Sequence, residues 1–194
     1  MSKVTLDLAS DTAPGWAAYI VEHFDAFLAD HANLERKASA QVMSLVVKYS
    51  DRTEMLPTLI ELAQEELDHF REVYALMEKR GLQLLPDTKD PYVNDLISEC
   101  RSGREERFLD RMLINSIIET RGAERFRLIT KELEDPELSA FYRGLWASEA
   151  RHGNVFVELS LNYFSPEVLY PRLEELLKEE ARILESMEWR PSLH

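Results

Sequence analysis

The sequence is poor in the residues that stabilise small disulfide-linked or cysteine-ligated proteins. Its 194 residues include a single cysteine, Cys100. One thiol excludes an intrachain disulfide and any metal site built from paired cysteines. Glycine occurs only six times, and the apolar–polar alternation of half-buried strands is almost absent. The apolar residues recur at spacings of three and four, which predicts an all-α chain.

Long hydrophobic runs are also missing. No stretch of about 18 apolar residues occurs, so we expect no transmembrane helix and no membrane partner. Residues 1–13 lack the apolar segment of a signal peptide. We therefore expect a cytoplasmic protein in a reducing environment.

Positive charge is scarce. The chain has 23 Lys and Arg against 36 Asp and Glu, a formal net charge of −13. Contacts with phosphates need Lys and Arg, so this balance argues against non-specific nucleic-acid binding by the whole surface. A local basic patch stays compatible with the sequence, because the distribution of charge matters more than its sum.

Proline, glycine and capping residues divide the chain into segments. The length favours one domain covering residues 1–194. Gly81 ends one predicted helix, and Asp135-Pro136 and Ser165-Pro166 begin two others. The predicted helices span residues 14–29, 30–48, 51–80, 92–101, 104–133, 136–163 and 166–187, with irregular tails at 1–13 and 189–194. Residues 82–92 form a long connection in mid-chain, as a crossover between two helix pairs requires.

One unit, a helix with Glu followed by a helix with Glu-x-x-His, occurs twice. The pairs are Glu66-Leu-Asp-His69 and Glu149-Ala-Arg-His152. Residues three apart lie on the same side of a helix, one turn from each other. Glu35 precedes Glu66 by 31 positions, and Glu119 precedes Glu149 by 30.

These candidates lie within apolar stripes. Glu66 and His69 share a helix face with apolar residues, whereas a separate polar stripe carries the other acids of that helix, Glu61, Glu65, Asp68 and Glu72. Burying four unpaired carboxylates would cost several kcal/mol each. Two divalent metal ions remove that cost, and four Glu with two His is the ligand set of a dinuclear iron or manganese site in a four-helix bundle. The alternative is a set of buried ion pairs with Arg.

Three other histidines and several small residues are near these motifs in sequence. We expect His23 and His194 to be surface residues, and for His31 we favour exposure or helix capping over contact with Glu35. Small residues near the candidates agree equally with close helix packing and with space for dioxygen: Ala38, Ser39, Ser116, Gly122, Ala123 and Gly153.

The paired motifs resemble those of the ferritin-like non-haem diiron carboxylate superfamily. Four stretches are similar to one branch of it, the tRNA 2-methylthio-N6-isopentenyladenosine hydroxylases: DHANLERKASAQVMSLVVKYSDR, LAQEELDHFREVYALMEKRG, LINSIIETRGAERFRLI and ASEARHGNVFVELS. The similarity covers the chain roughly from Pro14 to its end. It implies an all-α, ferritin-like four-helix bundle with additional N-terminal, crossover and C-terminal helices.

The resemblance also implies an activity. The family hydroxylates the isopentenyl group of a modified adenosine beside the tRNA anticodon, with two iron ions, dioxygen as co-substrate and an external electron donor. By this resemblance Glu35, Glu66 and His69 hold one iron, and Glu119, Glu149 and His152 hold the other, with Glu66 and Glu149 as bridges. The expected partners are tRNA and an electron-transfer reductase, and the expected state is a monomer or small homo-oligomer.

Arginines near the start of the 104–133 helix are candidates for tRNA contacts. Arg104, Arg107 and Arg111 share one predicted helix face, and clustered arginines can pair with backbone phosphates. Arg101 precedes them, and Arg121 and Arg125 follow. The alternative is that neighbouring acids neutralise each of these side chains.

Other activities agree with the same ligand set. A ferritin-like protein that oxidises, binds or stores iron is one alternative, and a rubrerythrin-like peroxidase is another. The single cysteine argues against the second, because a rubredoxin domain needs four. Manganese catalase-like activity is a further alternative, because these ligands do not separate iron from manganese.

Overall fold

The computed structural model describes residues 6–86 and 88–194, and all regular secondary structure in them is helical. Seven helices follow in order: α1 Trp16–Glu22, α2 Phe24–Lys48, α3 Leu56–Lys79, α4 Pro91–Ser98, α5 Arg104–Glu132, α6 Pro136–Ser160 and α7 Pro166–Ser186. The capping signals that place α6 are confirmed, because the Asp135 carboxylate accepts from the backbone N–H groups of Glu137 and Leu138. Gly81 has φ of 70°, the left-handed conformation in which glycine ends helices such as α3.

The predicted start of the third helix is wrong by about one turn. Residues 51–54 resemble a capping box, yet α3 begins at Leu56. Two successive turns precede it. The Tyr49 carbonyl oxygen accepts from the Arg52 N–H, and the Arg52 carbonyl oxygen accepts from the Met55 N–H. Pro57 explains the difference: it lies in the first helical turn, where its missing N–H costs nothing, whereas in a helix begun at residue 51 it would interrupt the interior.

The described chain divides into two compact units. One comprises residues 6–18, Lys89–Trp189 and His194, and the other Tyr19–Thr88 and Arg190–Leu193. The prediction of a single domain over residues 1–194 stays a prediction.

In the Tyr19–Thr88 unit, α2 packs against α3. Apolar residues of both helices are buried, among them Val42, Leu45, Leu59 and Leu62. The Ser39 hydroxyl donates to the Ala63 carbonyl oxygen at 2.8 Å, so small residues bring the two helices together here. The two helices carry the first Glu and the first Glu-x-x-His.

In the Lys89–Trp189 unit, α5 packs against α6, and α4 and α7 cover another side of α5. The core between α4, α5 and α7 is apolar and includes Leu96, Leu113, Ile117, Leu173 and Leu176. This packing fixes α5 and α6, which carry the second Glu and the second Glu-x-x-His.

Polar contacts hold the first described residues and the C-terminal residue. Residues 6–13 are irregular, but Thr12 donates to the carboxylate of Glu124 from both its backbone N–H and its hydroxyl. The expectation that His194 is a surface residue is wrong. It is only 8% exposed, its ring stacks on Tyr92 at 4.9 Å, and its Nδ1 lies 3.3 Å from the Asp90 carboxylate.

Asp110 links α5 to its surroundings through two arginines. Its carboxylate accepts from the Arg101 side chain at 2.8 Å and from Arg172 Nε at 2.9 Å. Burial alone would raise the pKa of Asp110, but the hydrogen bonds from Arg101 and Arg172 outweigh it and hold the pKa below the ordinary value. The charged carboxylate therefore stabilises the fold at neutral pH.

We expect Asp110→Asn to lower the free energy of unfolding by about 2–3 kcal/mol near pH 7. Because the folded-state pKa is lowered, this stabilisation is complete above the pKa of the unfolded carboxyl, about 4, and is lost as the pH falls towards the folded-state pKa. Urea unfolding at several pH values should show the difference between variant and wild type shrinking in acid. Asp68→Asn, which removes an exposed pair with Arg71, serves as a control with little effect. A difference for Asp110→Asn that does not change with pH would contradict the assignment.

Candidate metal centre

The α2–α3 pair brings together the first three predicted ligands. Glu35 and Glu66 are 5% and 1% exposed, because each lies on the apolar face of its helix. The Nδ1 atom of His69 lies 3.6 Å from Glu35 Oε2 and 3.6 Å from Glu66 Oε2. These three residues present ligand atoms within 4.8 Å of one another.

His31 also belongs to this cluster. It is fully buried, and its Nε2 lies 2.6 Å from Glu35 Oε1. The expectation of exposure or capping is therefore wrong: His31 lies one turn before Glu35 on the apolar side of α2, and its ring stacks on Phe27 at 5.6 Å. The sequence signal for this contact was the spacing of four residues between His31 and Glu35, which puts both on one side of a helix. His23, in contrast, is exposed as predicted.

The α5–α6 pair brings together the other three predicted ligands. Glu149 and His152 are 3% and 1% exposed, and His152 Nδ1 lies 3.3 Å from Glu149 Oε2. Glu119 presents a carboxylate oxygen within 4.8 Å of the ligand atoms of both. The other ring nitrogen of His152, Nε2, lies 3.4 Å from the Ser148 hydroxyl.

Small residues allow α5 and α6 to approach closely beside this group. The Ser116 hydroxyl donates to the Gly153 carbonyl oxygen. A Cβ atom at Gly153 would collide with the Thr120 hydroxyl, so any larger residue after His152 would have to displace the Thr120 side chain. At Gly153 and Ser116 the structure therefore favours close packing over space for dioxygen.

The two groups are chemically suited to divalent metal ions. Each offers two carboxylates and one imidazole nitrogen, a set of hard and borderline donors that suits iron and manganese. Glu35, Glu66 and Glu149 are almost completely buried, and a buried carboxylate cluster is costly without a compensating cation. The donors present thus fit one metal ion in each group.

The arginines near the start of α5 fall into two classes. Arg104 and Arg107 are exposed, and Arg111 is partly buried. Arg101, Arg121 and Arg125 serve the fold: Arg101 binds Asp110, Arg121 is fully buried against Glu180, and the Arg125 guanidinium lies over the Trp16 ring at 4.6 Å. Arg104 and Arg107 are thus the most exposed arginines of this set.

Comparison with known proteins decides the family. The model of the tRNA-(MS[2]IO[6]A)-hydroxylase (MiaE) family matches residues 1–194. The chain belongs to this family. The resemblance found in the sequence is thereby confirmed, and with it the assignment to a family of tRNA hydroxylases.

Two curated relatives carry the name tRNA 2-(methylsulfanyl)-N(6)-isopentenyladenosine(37) hydroxylase. The protein from Pseudomonas putida is 34% identical over 156 residues, covering 80% of this chain and 76% of the relative. The protein from Salmonella typhimurium is 29% identical over 107 residues, covering 55% of this chain and 39% of the relative.

A solved structure from Synechococcus, described as protein 43 with aldehyde deformylating oxygenase activity, has the same fold. Its TM-score is 0.91 at 35% identity, and the match covers 96% of this chain and 94% of that one. The predicted all-α, ferritin-like fold is therefore confirmed. Among the described residues no helix combines the length and apolarity needed to cross a bilayer.

Proposed function

We propose that this chain is an O2-dependent hydroxylase that acts on the isopentenyl group of 2-methylthio-N6-isopentenyladenosine in tRNA, next to the anticodon. The observation that carries the proposal is the match of the hydroxylase family over residues 1–194. The name of the Pseudomonas relative, which is similar over four fifths of this chain, specifies the same modified nucleoside.

In this proposal the redox chemistry that protein side chains cannot supply, the activation of dioxygen, would come from two bound iron ions. Glu35, Glu66 and His69 would hold one iron, and Glu119, Glu149 and His152 the other. The bridging roles of Glu66 and Glu149 stay predictions. Both histidines turn Nδ1 towards the carboxylates of their own group, so Nδ1 would be the ligand atom in each case.

The reaction balances with two electrons from outside. One C–H bond of the substrate becomes C–OH, one oxygen atom of O2 enters the product, and the other leaves as water after taking up two protons and two electrons from an electron-transfer reductase. The side chains position the ligands and exclude water: the buried residues around Glu66, such as Leu62 and Ala63, keep solvent from the carboxylate.

The test is nucleoside mass spectrometry on tRNA. The chain is expressed in a bacterium that makes 2-methylthio-N6-isopentenyladenosine but lacks a hydroxylase. We expect the nucleoside to gain one oxygen atom, and growth under 18O2 should place the heavy isotope in it. An unchanged nucleoside, with the precursor abundant and the protein folded and loaded with iron, would refute the proposal.

Aldehyde deformylation is a second candidate, because the Synechococcus protein with that activity is 35% identical over 96% of this chain. Incubating the iron-loaded protein with a long-chain aldehyde, O2 and a reductant separates the two candidates. Our proposal predicts no loss of the formyl group from the aldehyde under conditions in which the tRNA nucleoside is hydroxylated. Iron storage, peroxidase and manganese catalase activities have no comparable support from the family match.

We also propose that Arg104 and Arg107, with Arg111 beside them, contact tRNA phosphates. Replacing both Arg104 and Arg107 with alanine should weaken tRNA binding roughly tenfold and reduce the slope of log K against log salt by about two. The matched control is Lys178→Ala with Arg182→Ala, which removes the same charge from exposed positions of α7. Equal affinities of the two double variants would remove this patch from the proposal.

A further inference from the structure

The hydrogen bond between His31 and Glu35 separates the two oxygens of one predicted ligand. An ionised carboxylate only accepts hydrogen bonds, so the ring N–H of His31 donates to Oε1 at 2.6 Å. The other oxygen, Oε2, lies 3.6 Å from His69 Nδ1. One oxygen of Glu35 is thus engaged by His31, and the second points towards the other predicted ligands of the α2–α3 group.

The orientation of the His31 ring is fixed by its surroundings. The side chain is fully buried, and the ring stacks on Phe27 with an interplanar angle of 23°. Phe27, His31 and Glu35 are spaced by four residues on α2, so all three lie on one side of the helix. A fixed ring restricts the rotation of the Glu35 carboxylate before any metal ion binds.

The second group has the same predicted ligands but a different residue at the corresponding place. Asn115 lies four positions before Glu119, as His31 lies four positions before Glu35, and Asn115 is buried with 2% exposure. The repeat thus has an imidazole four positions before one glutamate and a neutral amide four positions before the other. The two groups have the same predicted donors but different residues at this position.

We propose that His31 is a positioning residue that makes the α2–α3 group the tighter of two metal positions, so that the two ions bind in separate steps. The inference rests on the proposed metal-dependent function. Residues that orient a ligand by hydrogen bonding typically contribute 10–100-fold to metal affinity. The gain comes from preorganisation, because the hydrogen bond on Oε1 already holds the carboxylate with Oε2 turned towards His69.

The experiment is a titration of the metal-free protein with Co²⁺ under anaerobic conditions, followed by visible absorption. We expect wild type to bind two equivalents in two resolved steps. His31→Ala should weaken the tighter step by about 10–100-fold and leave the other unchanged. His31→Gln keeps an N–H donor and should recover most of the affinity. Asn115→Ala should affect only the weaker step, and His23→Ala neither.

The outcomes separate this inference from the proposed function. If His31→Ala leaves both steps unchanged, or if His31→Gln is as weak as His31→Ala, the positioning role is overturned. If His31→Ala weakens both steps equally and lowers the melting temperature of the metal-free protein, the role of His31 is structural and the inference again fails. If the wild-type protein binds no Co²⁺, the proposed metal-dependent function itself is refuted.

Discussion

Glu66→Ala should reduce tRNA hydroxylation by at least about 1,000-fold, which corresponds to roughly 4 kcal/mol in activation free energy. Glu66 is 1% exposed, and its Oε2 atom lies 3.6 Å from His69 Nδ1. Its removal takes one of two carboxylates from the α2–α3 group, so the predicted iron loses a charged ligand and the position opens to water. The measurement is a single-turnover assay on purified, iron-supplied protein with modified tRNA.

The stability of the same variant distinguishes a lost site from a lost fold. A buried carboxylate is desolvated in the metal-free protein, and alanine removes that cost. We therefore expect metal-free Glu66→Ala to melt at or above the temperature of metal-free wild type, while the stabilisation by added metal disappears. Glu61→Ala, an exposed position of the same helix, should keep full activity. More than one tenth of wild-type activity in Glu66→Ala would refute the ligand assignment.

The second large effect concerns stability. Arg121 and Glu180 are both fully buried, and they form a two-point ion pair with Nε–Oε1 and Nη2–Oε2 distances of 2.8 and 3.0 Å. The Tyr92 hydroxyl donates to Glu180 Oε1 at 2.9 Å. Arg121 also donates to the Ser10 carbonyl oxygen. Glu180 therefore compensates a cation that has no access to water.

We expect Glu180→Ala to lower the free energy of unfolding by about 3–5 kcal/mol, because the buried Arg121 cation loses its two-point ion pair and keeps only the single ionic contact with Glu124 at 3.2 Å. That is a large part of the 5–15 kcal/mol typical of a domain. The double variant Arg121→Leu with Glu180→Leu should be less destabilised than Glu180→Ala alone, since both members of the fully buried pair are then removed together. Urea denaturation of both variants measures the difference.

Glu179→Ala is the matched control for this pair. Glu179 is the neighbouring residue and pairs with the exposed Arg182, so its replacement should cost less than about 1 kcal/mol. A loss of similar size for Glu179→Ala and Glu180→Ala would show that the buried pair has no special role.

Much of the fold was predictable from local signals. The Asp135-Pro136 start of α6 and the end of α3 at Gly81 depend on backbone groups within a few residues, and both are confirmed. The start of α3 was missed because two local signals compete there, and Pro57 outweighs the capping-box pattern. The six candidate ligands were selected because Glu and His at helical spacing on an apolar face are costly to bury unless a cation compensates them. Their role as ligands stays a prediction.

The wrong predictions concern residues whose contacts are distant in sequence, or whose burial cannot be read from helical spacing. His194 stacks on Tyr92, more than a hundred positions away. Arg121 and Arg125 resembled members of a surface basic cluster, yet Arg121 is neutralised by Glu180 from α7. His31 has its partner four residues away, but periodicity alone does not tell whether that side of α2 is covered.

The sequence by itself determined the helical class and the six candidate ligands, because each depends on residue types at fixed spacing along one chain. The family entered as a resemblance of four stretches, which the family match over residues 1–194 confirmed. The tertiary structure decided which charged side chains are buried and what compensates them. In the folded chain Arg121 and Asp110 form buried ion pairs, and His31 lies within hydrogen-bond distance of the Glu35 carboxylate. Arg104 and Arg107 stay exposed. The physical reason is that the free energy of a charged side chain depends on its exposure to water and on its partners. Both are set by the packing of the helices, which the spacing of residues along the chain does not reveal.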